Sequence, residues 1–392
     1  QADWECLGPE GGELRHVVQS PTDPNTLFGF SDGYSTKVYR STDGGTSWSQ
    51  AGSFNNQEYC ATVASDGTLY AGCGHAFATS TNGGATWTVS SVSNTYFYGV
   101  CAHPTVPTTV FAAGYRYTGS QWVAAFFKST NSGSTWTITN IGPSQSYGRS
   151  IAVSPQNPDI IFLSGYIYTG STYNPVVYRS TDGGTTWTDV TPAAAAGEYY
   201  SYSVAISPVD QNLVLFASYY NVYRSTDCGN TWTKVTNYQY YNYGMRFSTA
   251  DPNLVYAGGY GSVYRSTNAG QTWTGYSSGL PSQALQSVAA DWSNSTRAYT
   301  SCATGFYRST STGTSWSASN TGLYLGKIYA LAVAPTQPSK VYMQIYGLGV
   351  WLTTNNGTTW THLTTPLSCG DFCGIVVSPA DANTVLALEG GG

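Results

Sequence analysis

Short apolar runs punctuate this chain at even intervals, and no segment keeps a helical 3.6-residue period. Val38-Tyr39-Arg40 and Val263-Tyr264-Arg265 alternate apolar with polar positions, and so do following segments such as Trp187–Val190. Alternation on both sides of a polar stretch predicts a β-hairpin. The polar stretch is nearly the same each time. Ser41–Trp48 reads S-T-D-G-G-T-S-W, and it returns at Ser80–Trp87, Ser129–Trp136, Ser180–Trp187, Ser225–Trp232, Ser266–Trp273, Ser309–Trp316 and Thr353–Trp360. Successive copies begin 39, 49, 51, 45, 41, 43 and 44 residues apart, which marks a repeat architecture.

Each repeat predicts a strand, a turn, a second strand, a loop, a third strand, the octapeptide and a fourth strand. Repeat five gives Ser203–Ile206, Leu213–Ala217, Val222–Arg224 and Thr233–Val235. The first turn carries Pro with Asp or Asn, as in S-P-T-D-P-N from Ser20 and S-P-Q-N-P-D from Ser154. In the octapeptide, the third-position Asp or Asn accepts bonds from backbone N–H groups two residues on, and the fifth-position Gly suits positive φ. Evenly spaced strands without helices predict an all-β propeller of four-stranded blades in a single domain, 1–392. Residues 3–7 read as a closing strand within 1–8, and 369–392 as a partial ninth repeat. A composite blade from the two termini would bring the count to eight or nine and leave an unfilled strand edge, a template for a second copy.

The octapeptide resembles the Asp-box, or BNR repeat, the S-x-D-x-G-x-T-W signature of sialidases, sortilin-type receptors, xyloglucanases and photosystem assembly factors. The resemblance covers nearly the whole chain. In those families the box is a structural turn between the third and fourth strands of a blade, on the face opposite the active site. The likeness therefore implies that Asp43, Asp182 and Asp227 are structural turns and that function belongs to the opposite rim.

Composition narrows the partners. A net charge of −5 with only 9% charged residues gives no basic footprint, so nucleic acid is not expected. The 33 Tyr and 12 Trp against 15 Lys+Arg suit a neutral polar ligand. No apolar run approaches the ~18 residues of a transmembrane helix. The chain starts at Gln1, as a processed product would, and its eight Cys are an even number; both predict a secreted, extracellular or cell-surface protein. Cys60 and Cys73 flank one hairpin and are expected to pair, as are Cys369 and Cys373 in a local loop; Cys6, Cys101, Cys228 and Cys302 are unassigned. The spacings match no zinc site, His16, His75, His103 and His362 are isolated, and there is no phosphate or dinucleotide motif, so no metal or cofactor is expected. Gly275–Gly279 fits G-x-S-x-G, but no helix follows to make a nucleophile elbow.

The tyrosines fall largely between the second and third strands, or between one repeat and the next. Expected ligand-binding aromatics are Tyr115, Tyr117, Trp122, Tyr166, Tyr168, Tyr199, Tyr200, Tyr219, Tyr220, Tyr240, Tyr241 and Tyr260. Flat rings with hydroxyls suit sugar rings or a protein partner. Arg15, Arg149 and Arg246 start the first strands of repeats one, four and six and are expected at the top of a central channel. Sialidases clamp a carboxylate with three arginines but also need a Tyr–Glu pair and an acid Asp, and Glu198 beside Tyr199 is the tempting pair. The opening of the chain is also similar to the first blade of xyloglucanases, which implies a catalytic role for Asp32. Hydrolysis needs a second carboxyl, for which Glu58, Glu198, Asp291 and Asp371 are the candidates. The expectation is a non-catalytic propeller that binds glycans or assembles with its own copies, with a glycoside hydrolase using Asp32 as the alternative.

Overall fold

A computed structural model describes residues 10–235, 244–326, 328–345, 348–363 and 374–388. Eight four-stranded antiparallel sheets follow one another, each a meander in chain order. They span 14–54, 58–91, 95–144, 146–189, 201–235, 244–276, 287–318 and 328–362, here blades 1 to 8. A two-stranded sheet, Gly374–Val377 with Val385–Leu388, follows them. Blade 5 comprises Ser201–Ile206, Val214–Ser218, Val222–Ser225 and Thr233–Val235, close to the bounds that alternation predicts. Residues 1–8, 369–373 and 389–392 lie outside the described residues, and with them the expected closing strand, Asp371 and the Cys369–Cys373 pair.

The octapeptide builds its own turn. Ser41 Oγ accepts the Gly45 N–H at 2.9 Å and donates to Asp43 Oδ1 at 2.8 Å, and Asp43 accepts the Thr46 and Ser47 N–H groups, both at 2.9 Å. Asp182 and Asp227 repeat the arrangement. Asn82, Asn131, Asn268 and Asn355 replace the carboxylate with an amide that also donates to a Thr four residues on. Every fifth-position Gly has φ between 76° and 90°. In blade 1 a Cβ on Gly45 would also stand 2.6 Å from the Phe306 ring, so glycine is required twice over there.

Blades are joined into a ring by the residue just before the octapeptide, which reaches the turn of the next blade. Lys128 donates to Gly183 O, Arg179 to Cys228 O, Arg224 to Ala269 O and Arg265 to Thr312 O, at 2.7–3.3 Å. Arg40 lies against Gly83, and Thr79 Oγ1 donates to Ser132 O at 2.9 Å. Arg308 of blade 7 makes the same reach to Thr46 of blade 1, at 3.0 Å. Trp48 N–H donates to Thr321 O at 2.8 Å, just as Trp316 N–H donates to Ser278 O one blade earlier. Trp48 packs edge-on against Phe306 at 4.9 Å, in a buried cluster with Leu14, Leu27, Tyr39 and Tyr299. The ring thus closes between blades 7 and 1. Above this seam Gly11–Gly12 pairs in parallel with Tyr324–Leu325.

Blade 8 stands outside the ring. At the reach position it has Leu352, which packs instead into a small cluster of Tyr342, Val350 and Ile375 shared with the two-stranded sheet. Its first strand, Ile328–Val333, leaves Leu331 and Val333 exposed.

The cores lie between consecutive blades, and they correct one expectation. Cys60 and Cys73 are free and buried. A bulge at Tyr59 shifts the ladder, so Cys73 lies opposite Glu58 and Cys60 opposite Gly72. Cys60 therefore joins the core facing blade 3 while Cys73 joins the core facing blade 1. Two thiols on opposite faces of one sheet cannot meet. Cys101, Cys228 and Cys302 are free as well, so the described cysteines give no support to an oxidising compartment.

Candidate functional site

The first strands of blades 1 to 7 line a central channel of about 460 Å³. Two residues before each first turn, the side chain at the wall is small in most blades: Val18, Thr62, Cys101, Ala152, Ala205 and Ala289. Blade 6 places Arg246 there. It is exposed to the channel and donates to Met245 O at 3.0 Å, and partial desolvation by the wall lowers its pKa, partly offset by neighbouring Cys101.

The channel's upper rim is set by bulges. Five residues before the first turn, the ladder skips Arg15, Tyr59, Tyr98, Arg149 and Tyr202 in blades 1 to 5. A bulge leaves one side chain unpaired and re-aims it. The re-aimed groups meet. The Arg15 guanidinium lies 5.5 Å from the Tyr59 ring, Tyr59 packs on Tyr98 at 4.9 Å, and Arg149 sits 4.0 Å over Tyr98.

From this rim a belt of rings runs outward across blades 2 to 5. Tyr98 stacks on Tyr115 at 5.5 Å, Tyr115 meets Tyr147 at 4.9 Å, Tyr147 stacks on Tyr166 at 5.0 Å, and Tyr166 meets Tyr200 at 4.9 Å. Tyr200 continues to Tyr219 and Tyr199, and Tyr219 to Tyr220. Trp122 stands edge-on to Tyr115 and beside Tyr117, and Tyr168 packs on Tyr173. Burial raises the phenol pKa of Tyr59, Tyr115, Tyr147 and Tyr200, so the belt is a run of neutral rings and hydroxyls.

Several expected positions move. Tyr115, Tyr117, Tyr166 and Tyr168 end eight-residue strands rather than sitting in loops, because the second strands of blades 3 and 4 run on to Tyr117 and Tyr168. Tyr166 is buried within the belt, while Tyr117, Tyr199 and Tyr260 are exposed. Tyr260 bridges to Ala284 in blade 6. Tyr240 and Tyr241 lie outside the described residues. Alternation did not single out Tyr59; its signal is its spacing of five residues before the turn, shared with Arg15, Tyr98, Arg149 and Tyr202.

The carboxylates are occupied. Asp32 is paired with Arg15 at 2.8 Å and accepts from Gln57 at 3.0 Å. Arg15 is thus drawn outward to Asp32, while Arg149 and Arg246 border the channel mouth. Glu58 is fully buried against His16 at 2.9 Å. Glu198 accepts from Asn221, Tyr223 and Lys234 and ties the link between blades 4 and 5. Asp291 belongs to a first turn, at the octapeptide edge, where Arg297 holds it at 2.8 Å. It cannot face Asp32 across one ligand, since Asp32 lies beyond the other end of its blade. Among the described residues no three His, Cys, Asp or Glu gather to hold a metal ion.

Comparison with known proteins fits this geometry. A profile of the DUF6242 beta propeller domain matches residues 22–257, more than half of the chain. The chain belongs to this DUF6242 beta propeller family. No curated protein matches it. Among solved structures, this DUF6242 propeller is similar to the GH74 xyloglucanase from Xanthomonas campestris, with a TM-score of 0.68 at 12% identity over 96% of this chain and 71% of that one. It is also similar to YCF48 from Cyanidioschyzon merolae, with a TM-score of 0.57 at 17% identity over 77% and 96% of the two chains. A YCF48 bound to a D1 peptide matches with a TM-score of 0.55 at 14% identity over 77% and 94%. Identities this low speak to the fold.

Proposed function

We propose that this propeller works outside the cell by surface contact and binds glycan chains along its tyrosine belt. The observation that carries the reading is the unbroken run of rings from Tyr59 through Tyr98, Tyr115, Tyr147, Tyr166 and Tyr200 to Tyr219. Sugar rings offer flat C–H faces and hydroxyls, which match neutral aromatic faces edged with phenol groups. The likeness to a xyloglucanase fold is compatible with a saccharide ligand, but Asp32 is held by Arg15 and the described carboxylates are each engaged, so binding is favoured over hydrolysis. Affinity electrophoresis through gels of neutral β-glucans tests the reading. Retardation should weaken when Tyr117 and Tyr199 are both changed to Ala, and migration unaffected by every polysaccharide would overturn it.

Contact between copies is a second reading, favoured by the exposed apolar faces of blade 8 and the two-stranded sheet, where Leu331 is 56% and Val376 59% accessible. Sedimentation should then show concentration-dependent association that Leu331→Asp abolishes. A monomer at the highest attainable concentration argues against it.

A further inference from the structure

The channel mouth holds more positive charge than the protein neutralises. Arg149, from the rim of blade 4, and Arg246, from the wall of blade 6, border one cavity of about 80 Å³ together with His16, Cys60, Tyr98 and Tyr202. Arg149 spends one N–H on the Tyr166 hydroxyl at 2.9 Å, and its buried Nε has no hydrogen-bond partner. Arg246 occupies a position where the other six ring blades carry Val, Thr, Cys or Ala, and its one bond is to a neighbouring carbonyl. Neither guanidinium makes an ion pair among the described residues. Glu58 is committed to His16, and Asp32 to Arg15. Arg149 is half-buried with its Nε enclosed, and Arg246 is exposed to the open channel, so both carry donors that a ligand in the channel mouth can reach. Two guanidinium groups facing one small cavity make a receptor for an anion, and their planar forks fit a carboxylate.

The surroundings select among carboxylates. Tyr98 lies directly under Arg149 and is itself a member of the tyrosine belt, stacked on Tyr115 and packed at a tilt on Tyr59. A saccharide lying along the belt therefore reaches the cavity with its last ring. We propose that the channel mouth binds the carboxylate of a uronic acid residue between Arg149 and Arg246, so that the preferred ligand is an acidic polysaccharide. This rests on the glycan-binding reading and adds the charge of the ligand to it.

The test compares polygalacturonate, the same polymer with its carboxyls reduced, a neutral β-glucan and polyglutamate, in binding titrations at low salt. Polygalacturonate should bind tightest, and reduction of its carboxyls should remove the advantage without any change to the protein. Arg246→Met should weaken polygalacturonate by about tenfold or more, the scale of one lost charge-assisted contact, and leave the β-glucan unchanged. Arg149→Lys should weaken it less, since the ammonium keeps the charge and loses the fork. Equal binding of native and reduced polymer, or an Arg246→Met protein that binds polygalacturonate as before, overturns the proposal. Binding of polyglutamate as tight as polygalacturonate overturns the sugar assignment. Retained β-glucan binding in either case leaves the belt standing, whereas loss of β-glucan binding in the Tyr117/Tyr199 variant is the readout of the belt alone.

Discussion

Val288 and Leu331 hold the same repeat position, three residues before the first turn of blades 7 and 8, yet Val288 is 5% exposed and Leu331 is 56% exposed. Of its counterparts elsewhere in the ring, Val17, Ile151, Val204 and Met245 are buried and Ala61 and Val100 are half-buried, none as exposed as Leu331. Blade 8 has the octapeptide, its hydrogen bonds and its four antiparallel strands, as the ring blades do. The difference lies in neighbours. Blade 8 forms the octapeptide turn without a place in the ring, and a separate residue, the one before it, joins a ring blade to the next. A repeat unit that stacks only on its neighbours derives most of its burial from them.

The largest test of this contrast is at the seam. Phe306 is fully buried, packs on Trp48 and lies against Gly45. Phe306→Ala should cost about 3–5 kcal/mol, the range for a buried aromatic truncation, and lower the main thermal transition. Val350→Ala in blade 8 removes part of a small cluster shared with one two-stranded sheet. It should leave the ring's transition in place and speed amide exchange only within blade 8 and that sheet. A similar fall of the main transition in both variants would mean that the ring and blade 8 unfold as one unit.

A middle-sized effect tests the joining residue itself. Arg308→Leu gives blade 7 the residue that blade 8 carries and removes the reach to Thr46. A loss of about 1–2 kcal/mol is expected, more than for an exposed ion pair, because the Arg308 stem and Nε are enclosed at the seam. The reverse change, Leu352→Arg, should destabilise blade 8, since the guanidinium would displace an apolar contact and find no octapeptide turn to reach among the described residues. Chemical unfolding of both variants reads the two signs. A stabilised Leu352→Arg protein would show that blade 8 already has a ring-like neighbour.

This contrast explains what the sequence disclosed. Eight octapeptides announce eight blades, and alternation places the strands of blade 5 within about two residues. The number in the ring was written elsewhere, in Arg40, Thr79, Lys128, Arg179, Arg224, Arg265 and Arg308 against Leu352, a position whose meaning appears only when the next blade is in view. The rim was hidden for a different reason. A period of two residues assigns faces by parity, and a bulge breaks parity, which re-aims Tyr59 into the rim and also parts Cys60 from Cys73. The belt was partly legible as a surplus of tyrosine, but its continuity depends on second strands of blades 3 and 4 that run on to Tyr117 and Tyr168, where loops were expected.

The smallest expected effect separates blades by their turn chemistry. Hydrogen bonds hold the carboxyls of Asp43, Asp182 and Asp227 down to about 2, those from Thr186 and Thr231 leading for Asp182 and Asp227, while at Asp43 partial burial opposes the bonds from Ser47 and Ser41. The folded pKa lies below the unfolded value of about 3.9, so the contribution is complete above that value and is lost as pH falls through the interval toward about 2. Blades 2, 3, 6 and 8 carry Asn at the same position and have no such group to titrate. Acid should therefore loosen the turns of blades 1, 4 and 5 first. A triple variant with Asn at 43, 182 and 227 should lose less thermal stability between pH 4 and pH 2 than the native chain. At pH 7 it should be slightly less stable, because an amide accepts the same backbone bonds without the charge that strengthens them. Hydrogen exchange at pH 2.5 that is uniform across all eight turns would show that the acid response comes from other carboxylates, such as Asp23 and Asp381, whose pKa values are also lowered by bonds within their own turns.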